Sequence, residues 1–243
     1  MCRMIAYAST EPMDAAPYLG HLARFCVCGN LVAGWEKHEG GNHPDGWGIA
    51  YREDGEIRCV RSGKPAASDP LLAQLRVRTD RFIGHVRFAS NPDTVHAGNS
   101  HPFLAGGIAL AHNGTFRGRI GEEGDTRQVS DTLVFLELLS ERWKERTLPG
   151  LADALVEILS DGERVGNYSA ANLLIASGDR VFAYRRFRRH PDYYTLYLAE
   201  AEGCRVVSSQ PLDETAGWRL LADGEIVDLA SGASRSALPP GRQ

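Results

Sequence analysis

Apolar and polar residues alternate along 47–54 (WGIAYRED), the pattern of a strand with one buried face. Asp54-Gly55 predicts a tight hairpin turn into a second strand over 56–61 (EIRCVR). Short apolar runs predict buried strands at 2–8 (CRMIAYA), 81–89 (RFIGHVRFA) and 106–114 (GGIALAHNG). Later runs predict strands at 170–177, 180–187, 193–199, 204–208, 218–221 and 225–229. The period changes to a helical one over 130–146, where Leu133, Leu136, Leu139 and Trp143 form an apolar stripe. Ser130 is placed to cap that helix, and Asp131 complements the positive end of its dipole. Further helices are predicted at 15–28, ending in a Gly29-Asn30 turn, and at 150–160. A helix over 69–78 would have Asp69 as N-cap and Pro70 at its first position.

Strands, then two helices, then strands again is not the βαβ alternation of a parallel sheet. It predicts an α+β fold of two mainly antiparallel sheets with helices packed outside them. No repeat or linker divides the chain, so a single domain over 2–243 is expected. The 243 residues suffice for a sizeable core. A net charge of −4 argues against a nucleic-acid binder. The basic run RRFRRH (185–190) ends an apparent strand and reads as a solvated strand end or a subunit contact. The N-terminus lacks a signal peptide's apolar core, and no apolar run approaches the ~20 residues that span a bilayer. A cytoplasmic protein that does not engage membranes is the expectation. Five cysteines, odd in number and irregularly spaced, are not a disulfide framework. Cys26-Val-Cys28 lacks the second pair of a structural zinc site and reads as buried small residues at the end of an element.

Polar residues and glycines gather where the apolar strands end, at 42–51, 84–103 and 111–116. Asn113-Gly114 reads as a hairpin turn, or as an amide side chain and a backbone N–H converging on an oxyanion. Arg87, in an otherwise apolar strand, calls for a carboxylate. That is either a structural ion pair or a substrate carboxylate held bidentately, with Ser90 and Asn91 as further donors. Asp131 is a helix-start residue, or an acceptor for a substrate ammonium. His85 and His112 read as hydrogen-bonded structural residues. Cys2 is a small buried residue, or, once Met1 is removed, a thiol whose own α-amine of pKa ~8 serves as base. Together these groups describe an acyl-transfer site for an α-amino acid with a side-chain amide, such as glutamine or another γ-glutamyl amide.

In order and spacing, the motifs resemble the class II glutamine amidotransferases of the N-terminal nucleophile hydrolase superfamily. Cys2 matches the nucleophile, and GHVRFAS matches the strand that carries the α-carboxylate-binding Arg87 and the adjoining hydroxyl, Ser90. NSHPF puts His101 on the family's His-Pro motif among the substrate-binding residues. AHNG puts Asn113 and Gly114 on the oxyanion pair, and SDT puts Asp131 on the residue that holds the α-amine. Phe88 stands where the better-known synthases carry Trp, and Ser90 where they carry Thr. The synthases' second, ammonia-consuming domain has no counterpart before residue 243. Met1-Cys2-Arg3, Asp45-Gly46-Trp47-Gly48, and Ser209-Gln210-Pro211-Leu212 before Trp218 resemble the small stand-alone branch. That branch includes the γ-glutamyl amidohydrolase of ergothioneine biosynthesis.

The resemblance implies a four-layer αββα sandwich. It also implies cleavage of a small γ-glutamyl substrate through a γ-glutamyl thioester, with release of glutamate and no metal or organic cofactor. Loops around 29–45 and 91–99 are expected to recognise the leaving group. A glutaminase subunit delivering ammonia to a synthase partner is the alternative within the family, and a homo-oligomer is the other assembly to consider. A non-catalytic ligand-binding relative would not need Cys2, Asn113 and Gly114 together.

Overall fold

The computed structural model describes residues 2–29, 42–214 and 217–239. Met1, the second residue of the expected Gly29-Asn30 turn, and most of the 29–45 loop lie outside them. From the N-terminus come β1 (Arg3–Asp14), α1 (Ala16–Val27), β2 (Trp47–Glu53) and β3 (Glu56–Ser62). Next are α2 (Pro70–Gln74), β4 (Arg78–Val86), β5 (Phe103–Ala105) and β6 (Ile108–Gly114). Four helices follow: α3 (Gly118–Arg127), α4 (Asp131–Arg142), α5 (Leu148–Ser160) and α6 (Gly162–Val165). The chain then forms β7 (Ala171–Ser177), β8 (Arg180–Arg185), β9 (Tyr197–Ala201) and β10 (Cys204–Ser208). Last are β11 (Arg219–Leu220), β12 (Glu225–Asp228) and β13 (Ser234–Ser236).

The strands form two antiparallel sheets, ordered β11-β9-β10-β1-β4-β2-β3 and β13-β12-β8-β7-β6-β5. Period-two alternation sorts the side chains into layers. Ile5, Tyr7 and Phe82 on the outer face of the first sheet pack against Leu19, Leu22 and Phe25 of α1. Leu110, Leu173 and Ile175 on the outer face of the second pack against Phe135, Leu139 and Leu155 of α4 and α5. Between the sheets lie Met4, Ala6, Ala8, Ala50, Ala109, Ala111, Ala176 and Ala183. Alanine is the commonest residue of this middle layer, beside larger aliphatics such as Ile83, Leu174 and Val207, and its small side chain lets the two sheets approach. This is the expected αββα sandwich. No helix of the described residues is long and apolar enough to cross a membrane.

Several elements depart from expectation. The 69–78 helix keeps its Asp69 cap, whose carboxylate accepts from Leu71 N at 3.0 Å. It stops at Gln74 because Val77 O accepts from Ala15 N and Arg78 joins the first sheet. The strand expected at 106–114 begins at Ile108, since Gly106 and Gly107 (φ +55° and +73°) form the turn between β5 and β6. Asn113-Gly114 is no turn: both residues continue β6, paired with Asn172 and Ala171. The 130–146 helix ends at Arg142, and Trp143 Nε1 donates to Thr147 O at 3.2 Å. The basic run is structural at its start. Arg185 is buried and donates to three carbonyls, of Tyr194, Leu221 and Pro191, while Arg186 pairs with Asp223.

Candidate active site

At one end of the sandwich the apolar middle layer gives way to polar groups. The alternation that turns Ile83 inward carries His85, and that of Ala109 and Ala111 carries Asn113. Asn172 reaches the same face through its pairing with Asn113. Cys2, just ahead of β1, is 8% exposed. Antiparallel pairing brings the start of β1 beside the end of β4 (Arg3 with Val86) and the end of β6 beside the start of β7.

A cavity of about 440 Å³ opens here, lined by Cys2, Arg87, Ser90, His101, Gly114 and Asp131 among others. The seventh expected residue, Asn113, joins the group through the Cys2 backbone nitrogen, which donates to Asn113 Oδ1 at 3.1 Å. Asn113 is 1% exposed and its Nδ2 has no hydrogen-bond partner among the described residues. A buried donor left unmade costs about 1–3 kcal/mol, which an acceptor bound in the cavity would recover. Gly114 cannot be replaced freely, because a Cβ there would collide with the Ala170 carbonyl.

Arg87 follows β4 and is fixed by backbone pairing, with Arg87 N donating to Gly46 O and Asp45 N to Arg87 O. No carboxylate pairs with its guanidinium among the described residues. Its terminal nitrogens donate to Thr94 O and Thr94 Oγ1, each at 2.8 Å, and keep further N–H groups for a ligand. Ser90 is exposed at the rim. Asp131 opens α4, where Ser130 is the N-cap residue. Its Oδ2 accepts from Phe116 N at 2.7 Å and its Oδ1 from Thr132 N at 2.8 Å. Those bonds fix a carboxylate in the wall of a cavity that the Arg87 guanidinium also lines, a pair of charges that suits a zwitterionic amino-acid head group.

His101 lines the cavity with both ring nitrogens engaged. Nδ1 lies 3.1 Å from His112 O, and Nε2 lies 3.4 Å from Ser130 Oγ. His112 bridges Thr132 Oγ1 and Ala170 O, and the His85 ring lies 4.5 Å from that of His101. Burial lowers the pKa of all three imidazoles. Protonation is opposed further at His85 by Arg87 and at His101 by the adjoining His85 and His112 rings and then Arg87, while Asp131 partly opposes the shift of His112. The folded state therefore holds them neutral, while the unfolded chain binds protons below about pH 6.5. Stability should be full above that pH and fall on acidification, by up to about 1.4 kcal/mol per pH unit for each imidazole. Urea denaturation at about pH 7.5 and about pH 5.5 measures this, and an unchanged unfolding free energy would contradict it.

Sequence reasoning missed several contributors. Arg3 is 2% exposed, donates to Cys2 O at 3.4 Å and stacks over Tyr193 at 4.4 Å. Tyr193 and Tyr194 lie within electrostatic reach of Cys2, and burial pushes the Tyr194 phenol up to about 12. Asn172 is fully buried, with Oδ1 accepting from Arg186 N and Nδ2 without a partner among the described residues. An arginine or asparagine inside an apolar strand was the available signal, as it was for Arg87.

Comparison with known proteins bears on this geometry. The family model of class II glutamine amidotransferases matches residues 27–201. The chain belongs to that family. It is 28% identical over 237 residues to the gamma-glutamyl-hercynylcysteine sulfoxide hydrolase of Mycolicibacterium smegmatis, covering 94% of this chain and 96% of that one. It is also 28% identical over 236 residues to an uncharacterized protein of Methanocaldococcus jannaschii, covering 81% of this chain but only 64% of the archaeal one. Among solved structures, glutamine phosphoribosylpyrophosphate amidotransferase from B. subtilis superposes with a TM-score of 0.66 at 18% identity. That match covers 98% of this chain and 49% of the other, so this amidotransferase has the fold of about half of that larger enzyme. Membership in this family supports an enzyme.

Proposed function

We propose that this amidotransferase hydrolyses the side-chain amide of glutamine or a larger γ-glutamyl compound, with Cys2 as N-terminal nucleophile and a γ-glutamyl thioester as intermediate. The observation that carries the reading is one side chain facing two ways: Asn113 Oδ1 holds the Cys2 nitrogen while its Nδ2 has no partner among the described residues. The same amide thus fixes the base and offers a donor to the oxyanion. The γ-glutamyl hydrolase of M. smegmatis, aligned over nearly its whole length, supports the substrate class.

In the proposed sequence Met1 is removed, and the functional single-domain chain begins at Cys2. Arg87 takes the substrate α-carboxylate with help from Ser90, and Asp131 takes the α-ammonium. His101 keeps Ser130, and with it Asp131, in place. The neutral α-amine accepts the thiol proton as Sγ bonds to the amide carbon. Asn113 Nδ2 and Gly114 N–H hold the resulting oxyanion. The C–N bond then breaks, the nitrogen leaves with the proton from the α-amine, and the thioester remains. Water adds to it, the C–S bond breaks, and glutamate departs as the thiol regains a proton. No group outside the chain is required, and water suffices as acceptor without a synthase partner.

The purified chain alone should release glutamate and amine in equal amounts from a γ-glutamyl amide. Amide cleavage that requires an added partner protein would favour the ammonia-delivering reading, and no glutamate release under any condition would overturn the proposal.

A further inference from the structure

The cavity wall holds an imidazole, His112, to which no step of the hydrolysis assigns a part. Alternation along β6 puts it on the face of Leu110, toward α4. Its Nε2 lies 3.0 Å from Ala170 O, and its Nδ1 lies 2.9 Å from Thr132 Oγ1. A carbonyl oxygen can only accept, so Nε2 carries a proton. Burial keeps the ring neutral, so that proton is its only one and Nδ1 is an acceptor. The partner of Nδ1 is therefore the hydroxyl proton of Thr132, and Thr132 has no second one to give.

Thr132 Oγ1 also lies 3.3 Å from Asp131 Oδ1. The Asp131 carboxylate already accepts from Phe116 N on Oδ2, at 2.7 Å, and from Thr132 N and Ser130 Oγ on Oδ1, at 2.8 and 3.1 Å. Two carboxylate oxygens offer about four lone-pair sites. The Thr132 hydroxyl would be a fourth donor, and it would fill the group with protein donors alone. With that hydroxyl turned to His112, the described residues leave one acceptor site on a carboxylate that lines the cavity.

We infer that His112 is a positioning residue that sets substrate specificity: by holding the Thr132 hydroxyl proton, it keeps one acceptor site of Asp131 open for the α-ammonium of the substrate. This rests on the hydrolase reading above and adds the reason why the head-group carboxylate stays unfilled. The ring has a second hold on the same carboxylate. It stacks at 4.6 Å on Phe116, whose backbone N–H is the donor to Asp131 Oδ2.

The test is the ratio of kcat/KM for L-γ-glutamyl-p-nitroanilide to that for glutaryl-p-nitroanilide, which lacks only the α-amine. A hydrogen bond to a charged group corresponds to about 10–100-fold, and the wild-type ratio should lie in that range. His112→Phe keeps a ring against Phe116 and removes the Nδ1 acceptor. The freed hydroxyl then turns to Asp131, and the ratio should fall by on the order of tenfold. Losses common to both substrates cancel in the ratio. Adding Thr132→Val removes the hydroxyl itself, so the double variant should regain most of the wild-type ratio, which a merely structural His112 would not produce. A ratio unchanged in His112→Phe, or a double variant no better than the single one, would overturn this inference and leave the hydrolase reading standing. Side-chain nitrogen-15 NMR of the wild type reads the tautomer directly and decides should the variants not fold. The expected ring is protonated on Nε2 and bare on Nδ1 at neutral pH, and a proton on Nδ1 would overturn the inference. Wild-type protein that cleaves neither anilide nor glutamine would remove the hydrolase reading and this one with it.

Discussion

Replacing Cys2 with alanine should lower kcat for γ-glutamyl amide hydrolysis by on the order of 10⁴-fold or more. The variant loses the sulfur of the proposed nucleophile while the rest of the cavity wall, including Arg87 and Asp131, stays intact. Cys2 is nearly buried, and trimming one sulfur atom from a small side chain at the edge of the core costs little stability. The folded variant should therefore still bind the γ-glutamyl group. Steady-state kinetics paired with a thermal melt measures both effects. A variant that is folded and retains most of its activity would remove Cys2 from the chemistry. Cys2→Ser is the informative companion: it keeps a hydroxyl beside the same amine but lacks the intrinsic nucleophilicity of a thiolate, so it should sit far nearer to Cys2→Ala than to the wild type.

Asn113→Asp should cost about 10²–10³-fold in kcat, the usual effect of removing one oxyanion-hole donor. The substitution keeps the shape and the Oδ1 acceptor that holds the Cys2 nitrogen at 3.1 Å. It replaces the unpartnered Nδ2 donor with an oxygen and adds negative charge where negative charge has to develop. The loss should appear in kcat more than in KM, because the missing interaction belongs to the transition state. A fall in KM affinity with kcat unchanged would show that Asn113 only binds substrate. Asn113→Ala should be worse than the aspartate variant in one respect, since it also releases the Cys2 nitrogen.

Much of this architecture is legible in the residues themselves. The Asp54-Gly55 hairpin, with both residues at positive φ, follows from two strands of alternating pattern meeting at a turn dipeptide. The candidates Arg87, Asn113 and Asp131 stand out in the sequence because each is a polar group at the end of an apolar strand or the start of a helix, whereas His101 is picked out by the family's His-Pro motif alone. The antiparallel order of the strands brings those ends together. What escaped notice has local causes. The α3 segment carries Gly118, Gly121 and Gly124, each of which disfavours an isolated helix by about 1 kcal/mol relative to alanine. It is held by tertiary contacts, with Ile120 buried in the core shared with α4. Asn113-Gly114 has the composition of a turn, yet pairing with β7 keeps it in the strand. Arg185 belongs to a run that looks solvated, and only the fold reveals the three carbonyls around it. In each case a long-range contact outweighs a local preference.

The most direct test of the central claim is peptide mass mapping of active protein quenched with acid during turnover of a γ-glutamyl amide. The expected N-terminal peptide begins at Cys2, lacks Met1, and carries one γ-glutamyl group on the Cys2 sulfur that is released by mild base or hydroxylamine. Fully active protein that retains Met1, or a γ-glutamyl adduct on any residue other than Cys2, would contradict the account.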